Sequence, residues 1–233
     1  MPNSGITLRQ AALTAGFAYL LNPVSYAEAA LFPKLVIPGN IEQTVQNIST
    51  HSGAFVAVIF CYFINFVGDI VIAWSLYFLL APVNKSLSLL ASLFQLVYTA
   101  IGFFAMLSLV NAFHLLTTPY YLTVFEPGPL HAQVQFQLNS FRTDWSMGFI
   151  LFAIHLVLLG YLIFRSGYIP RIIGIILVID GLGWIIDCLQ PYLYPSAHLG
   201  FLFFTFLGEL VFMLWLLIRG WKIQEPAPEM QLR

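Results

Sequence analysis

Apolar residues run along this chain in blocks of about twenty or more, broken by short stretches that hold proline, glycine or charge. Each block is long enough to cross a hydrocarbon core of roughly 30 Å at about 1.5 Å per residue. The stretch VIFCYFINFVGDIVIAWSLYFLL, 58 to 80, is apolar on every face. A strand of a membrane β-barrel would instead alternate apolar and polar residues over about ten positions. The pattern predicts an all-α fold: one transmembrane domain over residues 1 to 233, with six helices at about 10–32, 54–81, 86–116, 144–164, 172–190 and 198–218. The breaks have chemical causes in PGN (38–40), PGP (127–129), SGYIP (166–170) and PYLYP (191–195), and in the charges of Lys85, Arg142 and Asp144.

Composition sharpens this picture. Of 233 residues, 60% are hydrophobic and only 8% charged, too few charges to cover a soluble domain. The formal net charge of -1 leaves no basic footprint for nucleic acid, and no run of Lys or Arg reads as a polybasic lipid-binding segment. Cys61 and Cys188 lie inside apolar blocks, where each reads as a small buried hydrophobe. With six spans, one side of the membrane carries Arg9, Lys85, Arg165, Arg171, Arg219, Lys222 and Arg233, and the other only Lys34 and Arg142. The positive-inside rule then places both termini in the cytoplasm. Two longer loops, about 33–53 and 117–143, face outward on this reading and hold Glu42, His51, Tyr120, Tyr121, Glu126 and His131. Arg9, AALTAGFAYLL and the small residues around Ala27 and Ala29 also sketch a secretory signal, but a single basic residue precedes the run and apolar sequence resumes in ALFPKLVI, so an uncleaved span is expected.

Polar residues sit unevenly across these spans. Asn22, Asp69, His155, Asp180 and Glu209 fall near mid-helix, and Glu28, Asn111, His114, Asp187, Gln190 and His198 in the outward half. The cytoplasmic half holds little beyond Ser75, Ser88, Ser92 and Gln95. A carboxylate at bilayer centre costs roughly 2.5 to 3.5 kcal/mol on insertion scales, so such residues face the bundle interior and find partners. Asp180, Trp184 and Asp187 share one stripe by their i, i+4, i+7 spacing; His198, Thr205 and Glu209 share another, and Tyr62, Asn65 and Asp69 a third. VGDIV (67–71) followed by Trp74 parallels LGELV (207–211) followed by Trp215, each bringing a glycine and an acid to one depth. Glycine lets helix backbones approach closely, so Gly68 and Gly208 are placed to press two acids toward a common centre. Any one of these acids alone also reads as a structural tie between helices.

Four stretches carry a resemblance: AGFAYLLNPVSY (15–26), VGDIVIAWSLYFLLAPVNKSLSLLA (67–91), YLIFRSGYIPRIIGIILVIDGLGW (161–184) and GELVFMLWLLIRGWK (208–222). Together they resemble the bacterial membrane proteins of domain-of-unknown-function family 4386, and the Arg-Ser-Gly, two residues, Pro-Arg turn at 165–171 is the most specific piece. The resemblance implies a multi-pass protein of the bacterial inner membrane and brings no reaction with it.

Function is therefore read from the residues. The leading expectation is an outward-opening acidic pocket lined by Asp69, His155, Asp180, Asp187 and Glu209, with Asn65, His114 and Trp184 at its walls. Such a pocket suits binding, or acid/base chemistry on, an apolar lipid-like or isoprenoid molecule: one carboxyl kept protonated by burial serves as acid, and another carboxylate or His155 as base or cation stabiliser. A proton- or cation-coupled small transporter is the alternative, and a non-catalytic sensory or complex subunit the third. The scarcity of polar residues in the cytoplasmic half argues for a pocket rather than a pore. No HExxH pair, Cys/His spacing, GxSxG elbow, Walker loop or GxGxxG fingerprint is present, so no metal or other cofactor is expected; the partners expected are membrane lipids.

Overall fold

The computed structural model describes residues 6–196 and 207–224. Helix α1, Leu8–Leu20, opens on a reciprocal cap: Gln10 N donates to Thr7 Oγ1 at 3.2 Å and Thr7 N donates to Gln10 Oε1 at 2.9 Å. It stops at Leu21, because Pro23 has no N–H to offer and the Asn22 side chain accepts from Val24 N at 3.1 Å. The first block, expected as one span over about 10–32, is thus broken. It continues as α2 (Val24–Tyr26), a π-turn (Ala27–Leu31) and α3 (Phe32–Leu35).

The two stretches expected as loops are largely helical. In the first, α4 (Ile41–Thr50) is capped by Asn40, whose Oδ1 accepts from Gln43 N at 3.0 Å. In the second lie α7 (Pro119–Val124) and the start of α8 (Pro127–Ser166). Pro127 and Pro129 mark a beginning rather than a break, since first-turn N–H groups have no intrahelical partner to lose. The fourth helix was expected from residue 144; it starts 17 residues earlier and, at 40 residues, runs about 60 Å.

Between and after these come α5 (Ser52–Leu80), α6 (Lys85–Thr117), α9 (Arg171–Leu193) and α10 (Gly208–Arg219), closed by a 3-10 turn, Gly220–Lys222. No strand occurs among the described residues. Four helices, α5, α6, α8 and α9, are long and apolar enough to cross a membrane, and the chain is a multi-pass helical membrane protein on that ground. Of the sixth expected span, residues 198–206 lie outside the described residues, and with them His198 and Thr205.

The chain forms two compact units. One contains α1, α5 from Gly68, α6 to Thr99, α8 from Met147, and α9 and α10. Its closest seam joins α8 to α9. A Cβ on Gly174 would stand 2.5 Å from the Gly160 carbonyl oxygen, and one on Gly160 would stand 2.5 Å from that of Gly174. Lipid is as apolar as leucine, so helices associate through close contact of small residues rather than by escaping water. The other unit, Asn22–Val67 with Ala100–Ser146, is built on aromatic packing. Tyr62 is fully buried there, edge-on to Phe141 (4.9 Å between centroids) and Trp145 (5.1 Å). Arg142 lies over the Phe32 ring at 4.3 Å and pairs with Glu28 at 2.9 Å.

The seam makes a testable demand. Gly174→Ala is expected to lower stability by about 1–3 kcal/mol through forced separation of α8 and α9. Gly53→Ala, at a helical glycine with open space around it, is expected to change little. Thermal unfolding of both variants in one detergent checks the contrast.

Candidate functional site

In the first unit, four helices bring polar groups to one place. Asp180, on α9, is fully buried. Its Oδ2 accepts from the backbone N–H of Glu209 at 3.2 Å, and the Gly208 N–H is directed at the same carboxyl. One turn along α9, the Trp184 side chain lies within electrostatic reach of the Asp180 carboxyl, while its ring stacks flat on Phe149 at 4.4 Å. Asp180 therefore supplies a carboxyl acceptor to backbone N–H groups at the described start of α10 and ties α9 to it. Glycine at 208 is what permits this, because a Cβ there would stand 2.6 Å from Asp180 Oδ2. The expected role of Gly208 as a point of close approach is met by contact with a side chain rather than with a second backbone.

Glu209 follows directly, and its side chain meets the Tyr19 hydroxyl of α1. The Tyr19 ring is held edge-on by Phe212 at 6.3 Å. Asp69, on α5 and 6% exposed, lies within electrostatic reach of both Glu209 and Tyr19, as does Asp180. A Cβ on Gly68, beside it, would stand 3.8 Å from the Ala18 carbonyl oxygen of α1, so α5 comes close to the helix that carries Tyr19. Each acid alone would be expensive in an apolar medium; together with a phenol, an indole and two amides they supply one another with partners. Three carboxyl groups within electrostatic reach of one another repel when all are charged.

Of the residues expected at the site, the structure brings together Asp69, Asp180, Glu209 and Trp184, and adds Tyr19. The tyrosine escaped the sequence reading because a single phenol in a chain with 11 tyrosines carries no periodic or spacing signal. Its place in AGFAYLLNPVSY was noted only for its resemblance.

The other expected residues stand elsewhere. His155, on α8 and buried, donates from Nδ1 to the Ala91 carbonyl of α6 at 2.9 Å, and the interactions resolved for it include none of the acids. Asp187 is exposed. It shares the Asp180 stripe, but Asp180 is buried against α10 and Asp187 is not. Asn65 is buried and His114 exposed, both in the second unit. Among the described residues, no three His, Cys, Asp or Glu side chains are grouped closely enough to hold a metal ion.

The model of a family described as "Domain of unknown function (DUF4386)" matches residues 14–220. An uncharacterised protein of Archaeoglobus fulgidus is 36% identical over 186 residues, which cover 80% of this chain and 91% of the relative. The likeness therefore extends beyond bacteria. No solved structure matches.

This contact separates two substitutions. Asp180→Leu removes the carboxyl that accepts from the Glu209 N–H in an apolar interior and is expected to cost about 2–4 kcal/mol. Asp180→Asn keeps an acceptor oxygen and is expected to lose less than half of that. Equal melting temperatures for the two variants in detergent would show that the contact carries no stability.

Proposed function

We propose, for a chain that belongs to the family DUF4386, that Tyr19, Asp69, Asp180 and Glu209 form a proton-binding centre, and that its activity is proton- or cation-coupled movement of a small solute across the membrane. The convergence of three carboxyl groups and a phenol within one unit is the observation that carries this reading. In it, Asp180 ties α9 to α10, while Glu209 and Asp69 exchange the proton or cation, Glu209 with the help of the Tyr19 hydroxyl.

Transport is placed first because the few polar side chains expected in the cytoplasmic half, together with His155 at mid-helix, are buried inside the unit that holds the acids. Ser75, Ser88, Ser92, Gln95 and His155 are all buried in this unit. Ser88 and Ser92 spend their hydroxyls on the Tyr77 and Ala73 carbonyls, at 2.9 and 3.0 Å. Ser75 Oγ, Gln95 Oε1 and His155 Nε2 are buried with no hydrogen-bond partner. Buried polar atoms of this kind are satisfied by internal water, and water between helices conducts protons.

The second reading is acid/base chemistry on, or binding of, an apolar lipid-like molecule. It is supported by the flat Phe149–Trp184 pair beside Asp180, since aromatic faces stabilise cationic intermediates. In either case the chain forms a single transmembrane domain in the cell membrane, with α1 and α10 belonging to the first and sixth passes and both termini in the cytoplasm.

Purified protein in liposomes holding a pH-sensitive dye distinguishes the two. Transport predicts proton flux under an imposed ion gradient, reduced about tenfold or more by Glu209→Gln and Asp69→Asn and unchanged by Glu42→Gln. Absent flux, together with conversion of a lipid extract that Glu209→Gln abolishes, would move the assignment to the second reading. Orientation is checked separately: single cysteines at residues 3 and 230 should react with an impermeant thiol reagent only in inverted vesicles.

A further inference from the structure

Charged residues far apart in sequence gather at the turn between α8 and α9. Ser166 Oγ donates to the Ile163 carbonyl at 2.8 Å and accepts from Ile169 N at 3.2 Å. Gly167 turns the chain at φ 75°, a conformation that L side chains rarely adopt. Tyr168 fastens the turn by donating to the Leu79 carbonyl at the end of α5. Pro170 then precedes Arg171, the first residue of α9. The Arg-Ser-Gly-Tyr-Ile-Pro-Arg motif is thus a tied hairpin that delivers Arg171 to a defined place.

Against this hairpin lies the end of α10. Between them is a cleft of about 920 Å³ lined by Arg171, Arg219 and Lys222, with Trp215 and Tyr168 among its walls. Among the described residues, no aspartate or glutamate lines it, and the only ion pair, Arg142 with Glu28, belongs to the other unit. Arg171 rests against the Phe164 ring at 5.5 Å and Lys222 against Trp221 at 4.9 Å, contacts that hold the long side chains without neutralising them. Three cations around one concavity, beside the positive end of the α9 dipole, make a field that attracts an anion.

We propose that this cleft is a phosphate-binding site that takes the headgroup of an anionic phospholipid. Guanidinium groups match phosphate oxygens in paired hydrogen bonds, and Lys222 adds a point charge. The tryptophans and tyrosine are residue types that settle at headgroup depth, and basic pockets between membrane helices on the cytoplasmic side are where anionic headgroups lodge. The site is independent of the acidic cluster and of whatever that cluster moves or converts. Its polybasic character was invisible along the chain because residues 171, 219 and 222 form no run.

The test uses the full chain in neutral detergent, titrated with phosphatidylglycerol and, separately, with phosphatidylcholine, and read by native mass spectrometry. Phosphatidylglycerol is expected to bind selectively, about fivefold more weakly after each of Arg171→Gln, Arg219→Gln and Lys222→Gln and about a hundredfold after all three, with phosphatidylcholine unaffected. Arg171→Lys should recover part of the loss, and Lys85→Gln, a charge change outside the cleft, should cost little. Displacement of the lipid by millimolar inorganic phosphate would keep the phosphate chemistry and assign the cleft to a free phosphate ester. Wild-type binding by the triple variant, or an equal loss from Lys85→Gln, would overturn the site. So would lipid binding that appears only once residues 225–233, with Glu225 and Glu229, are removed, because the chain's own acids would then be the occupant.

Discussion

The hydrogen bonds between the buried Asp180 carboxyl and the first turn of α10 organise the first unit. Hydrocarbon offers no partner to a free N–H or to a carboxyl, so each must find the other inside the protein. Placing both in one contact holds α10 at a fixed height on α9, and that height sets where Glu209, the next residue, can reach. Gly208 is part of the same constraint, since any side chain there would occupy the carboxyl's place. What reads in sequence as a motif pairing a glycine with an acid is, in space, a glycine making room for a different acid.

From that contact the cluster follows. With α10 seated on Asp180, Glu209 meets Tyr19 on α1, and Asp69 on α5 completes the set. The tyrosine contact draws on the packing of α1 against α10, where Gly16 sits beneath Leu216 and Leu217. The second unit has a different logic, with an aromatic core around Tyr62 and a cation held between Glu28 and Phe32. Arg142 there has local partners of its own in Glu28 and the Phe32 ring.

Sequence reasoning went furthest where the physics is local. The apolar blocks, their helical state and the break at Gly167–Pro170 follow from hydropathy, missing N–H groups and backbone freedom, all of which act within a few residues, whereas the break at Asn22–Pro23 was read through as one span. It went astray at Pro127 and Pro129, because proline both interrupts helices and begins them and only the residues that follow decide which. The expected loops became helices for a related reason: short amphipathic segments such as Ile41–Thr50 have too little apolar length to register as blocks.

The chain by itself determined a helical membrane protein carrying acids too costly to leave facing lipid. Only the tertiary structure decided which acids meet. Helical periodicity tells which way a side chain leaves its own axis, and so it grouped Asp180 with Asp187; it does not tell what lies on that side. Asp180 is buried against α10 and bonds the Glu209 N–H, whereas Asp187, on the same stripe, is exposed. The same holds for Arg171, Arg219 and Lys222, scattered along the chain and gathered by the hairpin. Contacts between distant segments depend on how whole helices pack, and that information is spread over every small and large residue at their seams.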